Sequence, residues 1–108
     1  NGCGYCLAAH SYLGKNLAKL SESEIDANRR GRSNETKADA AVRFAASIVT
    51  ARGHVSDADL SAVRAAGFSD ADIMEIVLHV ALNTLTNYVN EVAKTDVDFP
   101  VVAALKAA

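Results

Sequence analysis

The stretch FSDADIMEIVLHVALNTLTNYVNEVAK, residues 68–94, decides the fold. Ser69 followed by Asp70 and Asp72 is a helix start: the serine oxygen can satisfy free backbone N–H groups, and first-turn carboxylates meet the positive end of the helix dipole. Phe68 and Ile73 occupy the two positions flanking that cap, where apolar side chains staple a helix entry. Beyond them Ile73, Met74, Ile76, Val77, Leu78, Val80, Leu82, Leu85, Val89 and Val92 recur so densely that the predicted helix, Asp70 to about Lys94, is apolar on nearly every side. That pattern marks a central helix surrounded by others. Its polar residues Glu75, His79, Asn83, Asn87 and Asn90 follow at four- and three-residue steps and so share one stripe. Buried amides cost free energy unless they find partners, so the stripe is expected to face another helix, a subunit or water.

The same grammar recurs upstream. Val55-Ser56-Asp57-Ala58-Asp59-Leu60 opens a helix expected to end at Gly67. Ala38, Ala41, Val42, Ala45, Ile48 and Val49 lie at helical spacing between Glu35 and Arg52, with Gly53 a natural left-handed residue past the helix end. Ser21-Glu22-Ser23-Glu24 has capping-box spacing and predicts a short helix stopping at Gly31. The first helix is predicted from Cys3 or Gly4 through Leu13, with Gly14 as its terminator. No stretch alternates with the period of a strand. The expected class is all-α, with residues 1–108 forming one helical domain. The chain opens at Asn1 without methionine and reaches a cysteine at once, so further helices are expected upstream.

Half of the residues are apolar and 22% are charged, which suits a soluble helical core. The net charge of −2 and scattered basic residues, apart from Arg29-Arg30-Gly31-Arg32, give no footprint for nucleic acid. No apolar run approaches the ~20 residues needed to span a bilayer, and no signal-peptide pattern opens the chain, so a cytoplasmic location is expected.

Two cysteines three positions apart cannot staple distant segments, since so short a loop removes little entropy from the unfolded chain. Cys3, Cys6 and His10 instead stand at i, i+3 and i+7, on one helix face. A thiol becomes a nucleophile as thiolate, and both a helix N-terminus and a nearby histidine lower its pKa. A c-type haem site wants histidine directly after the second cysteine, where Leu7 stands; a thioredoxin-like site wants a preceding strand and a βαβ unit. Structural zinc needs four ligands, and beyond Cys3, Cys6 and His10 only His54 or His79 could contribute. Two inert buried cysteines with a surface histidine are a further reading, less natural beside Gly2, Gly4 and a helix start. A redox dithiol is the preferred one, with no cofactor and no metal.

Cys3-x-x-Cys6-x-x-x-His10, together with Ala81-Leu82-Asn83-Thr84-Leu85-Thr86-Asn87-Tyr88-Val89-Asn90 and Asp98-Phe99-Pro100, resembles the AhpD-like alkylhydroperoxidases, which are grouped with the carboxymuconolactone decarboxylases. The resemblance spans essentially the whole chain. It implies a helical, homo-oligomeric antioxidant peroxidase that reduces a peroxide through a dithiol/disulfide cycle and is recharged by a thiol reductant, with Cys3, Cys6 and His10 catalytic. That family's assisting glutamate would fall upstream of Asn1, and Tyr5 stands where some members carry a second histidine. The decarboxylase branch, which lacks the cysteine pair, is the runner-up, followed by a non-catalytic thiol or metal-binding protein. Tyr5, His79, Asn83 and Asn87 are candidate pocket-lining residues; packing is the other reading of Tyr5, and for His79 a core histidine bonded to a neighbouring helix or chain is the preferred one. His10, one turn after Cys6, favours Cys6 as the attacking sulfur, whereas the helix dipole favours Cys3.

Overall fold

The computed structural model describes residues 1–103 and 105. Every regular element among them is helical: α1 (Gly4–Asn16), α2 (Glu22–Arg29), α3 (Thr36–Ala51), α4 (Asp57–Ala65) and α5 (Asp70–Ala93). The class is all-α. The chain divides into two compact units, one of Asn1–Asp26 with Leu82–Ala108 and the other of Ala27–Ala81. No helix of the described residues is long and apolar enough to cross a membrane.

In the second unit the serine signals perform as their chemistry requires. Ser56 Oγ accepts the Asp59 N–H at 3.1 Å while Asp59 Oδ2 accepts the Ser56 N–H at 3.1 Å. Ser69 and Asp72 repeat the exchange at the head of α5, at 3.1 and 2.8 Å. Each cap of this kind stabilises its helix by about 1 kcal/mol. The staple residues Val55, Leu60 and Phe68 then pack on the core formed by Phe44 and Ile48 of α3, Val63 of α4 and Ile73 of α5. The α3 terminus differs slightly from expectation, because Arg52 itself is left-handed (φ +52) ahead of Gly53 (φ +86). That pair of residues turns the Gly53 N–H back onto the Ile48 carbonyl at 2.9 Å, which closes the helix.

Gly14 does not end α1. The helix runs two residues further, and the chain turns at Lys19, whose φ is +57. Gly14 provides room instead: a Cβ there would lie 3.6 Å from Leu20 Cδ1 and 3.7 Å from Ile25 Cγ1. The sequence signal was misread because a glycine needed for a close approach and a glycine needed for positive φ look alike.

The largest departure concerns α5. Only Ile73 is fully buried among its residues. Ile76 and Val80 are partly buried against the second unit's core, and Asn83, Thr84, Asn87 and Asn90 are half-buried further along. Leu78, Leu82, Leu85, Val89 and Val92 remain exposed, from 49% at Leu82 to 85% at Val92. Their steps of four and three residues make a stripe of their own, the repeat with which one helix seats on another. The polar stripe therefore faces inward in part, and much of the apolar surface faces outward, the reverse of a helix enclosed by its own chain.

Candidate functional site

Cys3 is the N-cap of α1. Its backbone is extended (φ −74, ψ 109), and its sulfur takes the place usually held by a serine or aspartate oxygen by accepting the Cys6 N–H at 3.2 Å. Cap and third helical residue are neighbours by construction, so the approach of the two sulfurs is a local consequence of their spacing. Both are buried free thiols, and the Cys3 thiol donates to Cys6 Sγ at 2.8 Å.

The contribution that spacing alone does not dictate comes from the far end of the chain. Asn90 Nδ2, on α5, donates to Cys6 Sγ at 3.4 Å. Asn87 stands one turn earlier on the same helix. The Asn87 carboxamide is oriented by Asn1, whose Nδ2 donates to Asn87 Oδ1 at 2.9 Å and reaches Thr84 Oγ1 at 3.3 Å. With its oxygen occupied as an acceptor, Asn87 has its NH2 group to offer to the thiol.

These contacts divide the two thiols. Burial pushes Cys6 up, but the hydrogen bonds from Cys3, Asn87 and Asn90 outweigh both burial and the nearby Glu91 carboxylate, leaving Cys6 below the ordinary thiol value. Cys3 moves the other way: burial, the proton it shares with Cys6 and the negative charges of Cys6 and Glu91 raise it, with only the Cys6 backbone N–H opposing. Both directions favour charge on Cys6 over charge on Cys3.

His10 is exposed and forms no hydrogen bond with either sulfur among the described residues. Tyr5 is half-buried with its ring edge-on to Phe99, centroids 5.8 Å apart at 80°, and Tyr12 meets the same ring at 5.6 Å. Tyr5 thus packs on the segment after α5. Asn83 is half-buried one turn before Asn87. His79 belongs to the other unit, exposed, with Nε2 at 4.0 Å from Glu75 Oε1 on the same helix. His54 is exposed. Among the described residues no three His, Cys, Asp or Glu side chains come together as a set that could hold a metal ion. The residue that sequence reasoning left undistinguished is Asn90; its place in the polar stripe with Asn87 was the available signal, but nothing in the stripe said which members would meet a sulfur.

No protein-family model and no curated protein matches the chain.

Proposed function

We propose that this protein is a thiol-dependent peroxidase that cycles Cys3 and Cys6 between dithiol and disulfide. The observation that carries the reading is the unequal supply of donors to two buried thiols: Cys6 Sγ accepts from the Cys3 thiol at 2.8 Å and from Asn90 Nδ2 at 3.4 Å, contacts that favour a thiolate at Cys6 with Cys3 beside it to resolve. The resemblance of the Cys3, Cys6 and His10 pattern to the AhpD-like alkylhydroperoxidases supports the same chemistry.

In the first step the Cys6 thiolate attacks the terminal oxygen of a hydroperoxide, ROOH. A sulfur–oxygen bond forms, the oxygen–oxygen bond breaks, and the departing alkoxide takes up a proton to leave as ROH. The product is a Cys6 sulfenic acid. Cys3 then loses its proton and attacks the Cys6 sulfur; the disulfide forms and hydroxide leaves as water once protonated. Two electrons pass from the dithiol to the peroxide, and a dithiol reductant returns them. His10, one turn past Cys6, serves as the solvent-side proton carrier, reaching the reacting atoms through water. A free dithiol of this kind suits a reducing compartment such as the cytoplasm. The reading includes self-association, with the exposed Leu82, Leu85, Val89 and Val92 stripe as the surface a second helix covers.

Intact-mass measurement after one equivalent of peroxide is expected to show loss of two hydrogens, and a sulfenic-acid trap should label Cys6 in the Cys3→Ser protein but little in the Cys6→Ser protein. Labelling of Cys3 instead would exchange the roles. A protein that reacts no faster than free cysteine would end the peroxidase reading and leave a non-catalytic dithiol.

A further inference from the structure

We infer that the carboxamides of Asn87 and Asn90 on α5, rather than the imidazole of His10, are the groups that hold Cys6 as the attacking sulfur. For its catalytic consequence this rests on the peroxidase reading; the effect on the thiol stands apart from it. A neutral thiol is a weak acceptor, whereas a thiolate is a strong one, so an amide donor aimed at a buried sulfur stabilises chiefly the charged state. Asn90 supplies such a donor at 3.4 Å. Asn87, one turn earlier, has its oxygen taken by Asn1 at 2.9 Å, which leaves its NH2 group as the second amide donor this inference assigns to Cys6. Steps of three residues along α5 put Thr84, Asn87 and Asn90 on one side of the helix, where Thr84 and Asn87 anchor Asn1 and Asn90 meets Cys6.

The other groups facing the sulfur work differently. The Cys3 thiol donates at 2.8 Å but is itself the resolving sulfur, and Glu91 adds a negative charge that opposes ionisation of both cysteines. His10, the motif residue expected to accept the Cys6 proton, is exposed and out of hydrogen-bond contact with it. The division of labour is therefore that the start of α1 brings the dithiol together and α5 adds amide donation to Cys6. In a burial of 8% exposure, Cys6 has little water to replace a lost donor.

The test is the pH dependence of iodoacetamide labelling at Cys6 and Cys3, resolved by fragment mass spectrometry, in the reduced full chain and in the Asn90→Leu, Asn87→Leu, Asn90→Asp and His10→Ala proteins. Removing one hydrogen bond to a charged acceptor lowers the thiolate fraction about tenfold. The less acidic thiol is the better nucleophile, which returns about a factor of three. Labelling of Cys6 below its inflection should thus slow about threefold in either leucine variant, with the inflection moved to higher pH. Asn90→Asp, similar in size but carrying a carboxylate in place of the amide, should move it further the same way, and it keeps the test intact if circular dichroism shows that Asn90→Leu has lost its helices. His10→Ala should leave the Cys6 labelling profile in place. Profiles of the asparagine variants that superimpose on the parent, or a His10→Ala profile that shifts as theirs are expected to, would overturn the inference. Normal profiles in a parent protein that peroxide does not oxidise would instead count against the peroxidase reading alone.

Discussion

Replacing Gly14 by alanine is expected to stabilise the protein, and the sign of the effect separates two accounts of α1. If Gly14 ended the helix in a left-handed conformation, a Cβ would cost about 1–2 kcal/mol. The structure puts Gly14 inside α1 with ordinary helical backbone, since it is absent from the positive-φ positions Gly2, Gly31, Gly53 and Gly67. In a helix interior alanine is favoured over glycine by about 0.8–1.0 kcal/mol. The new methyl would also meet Leu20 Cδ1 at 3.6 Å and Ile25 Cγ1 and Cδ1 at 3.7 and 3.9 Å, ordinary contact distances that need no repacking. Burial of part of one methyl adds a few tenths of a kcal/mol. The sum is about 1 kcal/mol, or roughly 4 °C in Tm for a chain of this size. Urea unfolding followed by circular dichroism should show a higher midpoint at unchanged slope. A midpoint lowered by the equivalent of 1 kcal/mol or more would refute both the helical backbone at Gly14 and the room beside Leu20 and Ile25.

Asp39 should make acid stability depend on one carboxylate. The Ser33 N–H at 2.9 Å, with Arg43 Nε at 2.6 Å and Arg32 Nε at 3.1 Å, outweighs partial burial and holds its pKa down at about 2 from the usual 3.8. Folding thus favours the charged form, so the contribution is complete above pH 4 or so and is lost as pH falls toward 2; Asp39→Asn should flatten the stability profile across that window, and an unchanged profile would count against the network. Self-association is checked by sedimentation: the parent chain should associate at micromolar concentration, and Leu85→Lys, placing a charge at a position 60% exposed in the single chain, should shift it toward monomer. A monomeric parent would leave the α5 stripe without the role given to it.

Helix positions were legible because their causes are local. The Ser56-to-Asp59 and Ser69-to-Asp72 caps need only residues three apart, and the apolar spacing of α3 and the density of α5 announce helices whatever surrounds them. The misreading at Gly14 lies where one residue type serves two purposes, and the motif likewise carried no information on depth: His10 is exposed while Cys3 and Cys6 are buried. The periodic pattern of α5 likewise could not say which apolar side chains its own chain would cover. It reads as a helix to be enclosed, yet Ile73 is buried while Leu85 and Val92 are not.

The site divides along the same line. The spacing of Cys3 and Cys6 by itself put a cap sulfur and a third-residue sulfur within reach of each other at the start of α1, because cap and third helical residue are neighbours at a helix entry. Which further donor Cys6 meets was decided only by tertiary structure. Asn90 is 84 positions from Cys6, and it is the folding of α5 against the start of α1 that sets a carboxamide donor against that buried sulfur, a contact that favours its charged form.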